Sequence, residues 1–131
     1  MEKEAEKPNR IQIVKDYRRK TEYLLEKNKV EELELYDVSK EFFKKYLNVN
    51  YEATCKELIN KVNTTYIPEH LEPSIKNYLD TLSVVEYKDS FMGDQQIKIM
   101  LEYFNTILKK LDEEPQKKSF WKSIFKRKNN V

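Results

Sequence analysis

Residues 94–111 read DQQIKIMLEYFNTILKKL. Ile97, Met100, Leu101, Phe104, Leu108 and Leu111 recur at the three-, four- and seven-residue spacing that puts side chains on one face of an α-helix. Lys98, Glu102, Asn105, Thr106, Lys109 and Lys110 between them are polar, which leaves the opposite side largely to water. Asp94 suits the N-cap, and Asp112-Glu113-Glu114-Pro115 closes the run, because proline restricts the residue before it. A helix with one apolar stripe must bury that stripe on something, so the rest of the chain should hold matching stripes.

It does. Asn9 is a plausible N-cap for a helix from about Arg10 to Asn28, with Ile11, Val14, Tyr17, Leu24 and Leu25 on its stripe. Asn28-Lys29 reads as a turn or as a soft point in a longer helix. A second helix from about Glu31 to Leu47 carries Leu35, Val38, Phe42, Phe43, Tyr46 and Leu47, the densest aromatic set of the body. Asn48-Val49-Asn50 breaks the pattern. Thr54 followed by Glu57 fits a capping box. Cys55, Leu58, Ile59 and Val62 then lie on one face of a third helix, about Tyr51 to Asn63. Pro73 suits the first turn of a fourth helix with Ile75, Tyr78, Leu79 and Leu82 on its stripe. Val84-Val85 either finishes that helix or forms the one strand-like stretch. The expectation is an all-α single domain of about five helices over residues 9–112. A disordered N-terminus covers 1–8, and a linker and basic amphipathic helical tail cover 113–131.

Composition narrows the function classes. The chain has 131 residues, 37% of them charged and 39% hydrophobic, and a single glycine, Gly93. One glycine rules out a phosphate-cradling P-loop or a dinucleotide-binding turn, which need several. One cysteine, Cys55, gives no internal disulfide, and with one histidine, His70, the pair falls short of a four-ligand zinc set. No cofactor is expected. No apolar run approaches the roughly 20 residues that cross a bilayer, and MEKEAEKPNR carries no hydrophobic signal region. A cytoplasmic location is expected, at the cytoplasmic face of a membrane for the reason that follows.

Residues 116–131 contain Lys117, Lys118, Lys122, Lys126, Arg127 and Lys128 and no acid. The remainder holds 19 basic and 23 acidic residues, a body of net −4 beside a tail of +6. At helical spacing Phe120, Trp121, Ile124 and Phe125 fall on one contiguous arc, and Ser119, Lys122, Ser123, Lys126 and Arg127 fill the rest. Lys117 and Lys128 intrude only at the ends, where long side chains snorkel. Bulky aromatics opposite cations are the pattern of a helix lying in a membrane interface. A helix of roughly three turns is marginal alone in water and would fold on contact. Docking of the same face onto the domain's own core, or onto a partner protein, is the competing reading.

The leading expectation is therefore a non-enzymatic helical interaction module. Its tail meets an anionic membrane surface, and its acidic body binds a protein partner. A nucleic-acid-binding regulator using the helix pair 51–85 or the tail is the alternative. It is weakened because Lys76 and Asp80 stand among Glu69, Glu72 and Glu86, and no arginine lies between Arg19 and Arg127 to read guanine. Cys55 on an apolar helix face reads as a buried small hydrophobe, and His70 as a solvated or capping residue. Glu31-Glu32-Glu34 and Asp112-Glu113-Glu114 read as solvated faces. Phe42, Phe43, Tyr46, Tyr51 and Phe104 read as core.

The stretch LYDVSKEFFKKYLNVNYEATCKELINKV, followed by a helix ending LDTLSVVEYKDS, resembles small helical domains of uncharacterised archaeal proteins that are often associated with membrane proteins. The likeness spans roughly residues 30–111 and its motifs are structural. It implies a helical module near a membrane and carries no activity. EYLLEKNKVEELELYDVSKEFFKKYL is also faintly similar to tetratricopeptide and microtubule-interacting helical hairpins, without the small residues that let those helices pack closely.

Overall fold

The computed structural model describes residues 9–87 and 92–113. All regular structure among them is α-helical. The elements are α1 (Arg10–Leu25), α2 (Glu32–Tyr46), α3 (Cys55–Asn63), α4 (Glu72–Leu82), the single turn α5 (Val84–Tyr87) and α6 (Asp94–Glu113). Residues 1–8 and 114–131, for which a disordered segment and a linker with a basic tail were expected, lie outside the described residues.

Local chemistry starts each helix. The Asn9 side chain accepts the Gln12 N–H at 3.1 Å and opens α1. Thr54 and Glu57 form the expected capping box at α3: Thr54 Oγ1 accepts from Glu57 N at 3.1 Å, and Glu57 Oε1 accepts from Thr54 N at 2.9 Å. The helix therefore begins at Cys55, four residues later than Tyr51. The cap residue itself must leave helical backbone, and Tyr51 is 56% exposed rather than in the core. Pro73 sits in the first turn of α4, as its missing N–H favours. α1 stops at Leu25, short of Asn28, so Asn28-Lys29 belongs to the turn into α2. Asn48 takes a left-handed φ of 59° and turns the chain away from α2. Val84-Val85 neither extends α4 nor forms a strand; it opens the separate turn α5.

α6 is the centre of the bundle. It packs along α1 and also touches α2 and α4, while α3 and α4 pair with each other. α1 and α6 run antiparallel. Lys15 and Arg18 of α1 reach Asp112 at the end of α6, at 3.4 and 2.7 Å, while Leu24 lines one depression with Ile97 near its start. The core is aromatic at its heart. Phe104 of α6 meets Phe42, Phe43 and Tyr78 at ring-centroid distances of 5.6, 5.9 and 5.4 Å. Tyr17 adds a fourth helix to this cluster through Phe42, at 5.6 Å. Fully burying one such ring contributes about 1.5–3 kcal/mol by area, and favourable ring geometry about 0.5–1.5 more per pair.

Among the described residues two buried polar positions interrupt the stripes. Thr21 donates its hydroxyl to the Tyr17 carbonyl at 2.7 Å, and Ser39 shares a hydrogen bond with the Tyr78 hydroxyl at 2.5 Å. Both are satisfied, which is the condition for leaving a hydroxyl in an apolar core.

Candidate functional site

The ten tail residues singled out by the sequence, Lys117, Lys118, Phe120, Trp121, Lys122, Ile124, Phe125, Lys126, Arg127 and Lys128, lie outside the described residues. The structure does show where that segment is rooted. It follows α6, whose last turns present exposed Lys109 and Lys110 and whose Asp112 is held by α1.

Asp112 is not the solvated acid that its run suggested. The Arg18 guanidinium holds its carboxyl below the usual carboxylate range, with Lys15 adding to the effect against partial burial. The Glu31-Glu32-Glu34 run is likewise used. Glu34 accepts the Glu31 N–H at 2.9 Å and pairs with Lys27 at 2.7 Å, while Glu32 accepts the Met92 N–H at 3.0 Å. These acids start α2 and tie the turn before α6 to it. A sequence run of carboxylates does not reveal the tie made by Glu32, since Met92 is 60 positions away in the chain.

Cys55 is completely buried, as its place on an apolar face implied. Burial pushes its thiol up to about 12, and the neighbouring Glu86 carboxylate pushes in the same direction. The thiolate, the reactive form, is therefore suppressed. His70 lies exposed in the turn before α4. The structure thus separates by burial the two residues that a Cys–His reading would need together. Among the described residues no group of three or more His, Cys, Asp or Glu is arranged to hold a metal ion.

The densest polar cluster centres on Glu86 of α5, which the sequence showed only as one acid in VEYKD. Its carboxylate accepts the Tyr36 hydroxyl at 2.7 Å and the backbone N–H of Cys55 at 3.0 and 3.2 Å. Lys40 lies 3.5 Å from the same carboxylate, donates to the Tyr36 hydroxyl at 2.9 Å and stands 5.1 Å from the Tyr36 ring centre. Partial burial works against the charged carboxylate, but these donors win and lower its titration. Burial pushes the Tyr36 phenol up to about 12. The cluster clamps α2, the start of α3 and α5 together. Every member is used internally, so it reads as a structural clamp rather than a reaction centre.

A further feature, one of several depressions of similar volume, is an apolar groove of about 630 Å³ between the end of α1, the following turn and the first two turns of α6. Leu24, Leu25, Val30, Ile97 and Leu101 line it, with Lys27, Lys29, Lys98 and Asp94 around them. Its volume is in the range of binding pockets. Sequence periodicity assigns most of these residues to stripes but gives no sign that two stripe ends leave a gap between them.

Among the described residues no helix is long and apolar enough to cross a membrane. No family model matches the chain, and neither any curated protein nor any solved structure matches it.

Proposed function

We propose that this protein is a non-enzymatic helical interaction module held peripherally at an anionic membrane surface, on the cytoplasmic side, by residues 116–131. The observation that carries the reading is the division of charge: six cations and no acid in that segment, beside a body of net −4. Within it Phe120, Trp121, Ile124 and Phe125 share one helical arc. In this reading they enter the headgroup boundary while the cations meet anionic lipid, each contributing about 1 kcal/mol near the surface. The body supports the reading in two ways. Its heart is closed by aromatics from α1, α2, α4 and α6, and the last turns of α6 present two further exposed cations, Lys109 and Lys110. The acidic body remains in solution and binds protein.

Co-sedimentation tests this with vesicles of phosphatidylcholine alone and with phosphatidylglycerol added. Full-length protein is compared with a version stopped at Pro115. Pelleting by the full-length protein alone, only on anionic vesicles and weakened by salt, is the expected result. If neither version pellets and the shortened one melts earlier, the tail packs on its own body and the membrane reading is wrong.

A further inference from the structure

The body is acidic as a whole, yet the groove at the α1–α6 end is edged by cations. Lys29 and Lys98 are exposed and make no ion pair among the described residues, while Lys27 is occupied by Glu34. Asp94 is the only acid of the lining among the described residues. An apolar floor with spare positive charge selects an occupant that is apolar in the middle and anionic at its edge.

Two features decide what kind of occupant. The groove is open along one side, so a free acyl chain would keep much of its surface in water, whereas small-ligand sites enclose most of theirs. A protein segment supplies its own cover. The groove is also at the start of α6, the opposite end of that helix from Glu113. The 20 residues of α6 rise by about 30 Å at 1.5 Å each, which sets the groove well away from a membrane met at the tail's root. The lysine edge argues against the basic tail itself, whose own cations it would repel.

We propose that this groove docks a short segment of a partner protein that is apolar at its centre and flanked by Asp or Glu. The proposal deepens the reading of the body as the protein-binding half, and it does not depend on membrane attachment. The sequence supplies a direct way to close the site. Gly93 lines the groove, its φ is not positive, and a Cβ built there meets nothing within 4 Å. A larger side chain at that position can therefore be placed at the groove's edge, to obstruct an occupant, without straining the fold.

The test uses the full chain and a synthetic amphipathic peptide with leucines one helical turn apart and glutamates beside them. The control peptide has lysine in place of every glutamate. The expected result is saturable shifts of the Val30, Gly93 and Leu101 amide resonances with the acidic peptide and none with the basic one. Gly93→Leu weakens binding by about tenfold or more and Lys98→Glu by about threefold or more, each with an unchanged melting temperature. Absence of saturable shifts, equal binding of both peptides, or full affinity in Gly93→Leu overturns the proposal. Laurate occupying the groove while the acidic peptide does not would make it an acyl site and overturn it equally. Vesicle pelleting of Gly93→Leu should match that of the unaltered protein, so a failure here is distinguishable from a failure of the membrane reading.

Discussion

Replacing Glu86 tests whether the polar clamp holds α5, α2 and the start of α3 together. The Glu86 side chain is 15% exposed and that of Lys40 is 11% exposed, so water replaces lost partners poorly. Glu86→Ala removes the acceptor of the Tyr36 hydroxyl and of the Cys55 N–H, and leaves Lys40 the Tyr36 hydroxyl and, as its carboxylate among the described residues, the exposed Glu52, 3.6 Å away. A hydrogen bond to a charged group contributes about 1.5–3 kcal/mol, and breaking a fully buried ion pair costs about 3–5. Partial exposure scales both down, to a total of about 2–4 kcal/mol. For a chain of this length that lowers the melting temperature by roughly 10 °C. Glu86→Gln keeps an acceptor and loses only the charge, so it should cost about half as much. Urea unfolding followed by circular dichroism measures both, and a cycle with Lys40→Met isolates the ion pair. A Glu86→Ala protein within about 0.5 kcal/mol of the original would refute the clamp.

Glu86 and Asp112 both titrate below their ordinary range in the folded protein. Their stabilisation is therefore complete above the unfolded carboxylate range and is lost as pH falls from about 5 downwards. The urea midpoint should drop through that window, and Glu86→Gln combined with Asp112→Asn should flatten the drop; an equally steep curve in the double variant would contradict the assignment. Phe104→Ala empties the centre of the aromatic cluster and should cost about 3–5 kcal/mol, a large part of the roughly 5–15 available to such a domain. A loss below about 1 kcal/mol in the same unfolding assay would mean that Phe104 is not the keystone of the core. Cys55 should resist thiol reagents in the native protein and react fully in denaturant, with its labelling rate following transient opening. Prompt native labelling would show that α3 does not bury it.

The sequence by itself determined the helical class, the apolar face of each long helix and the chemistry that starts α1, α3 and α4. These are local facts. A 3.6-residue period, a Thr54–Glu57 pair or a proline in a first turn acts within one or two turns of its own helix, so reading along the chain is enough. The same reading found Cys55 inside, because its neighbours at helical spacing are apolar. It misplaced the start of α3 and the exposure of Tyr51, since aromatic residues beside a helix mimic its stripe. The tertiary structure alone decided where the polar residues are used. Asp112 meets Arg18 across 94 positions of chain, Glu32 meets the Met92 N–H across 60, and Glu86 meets Tyr36 across 50. No local pattern encodes such pairs, because they exist only once helices from distant parts of the chain lie side by side. The groove is of the same kind. Leu24 and Leu101 belong to ordinary stripes, and the opening between them arises only from how the end of α1 and the start of α6 meet.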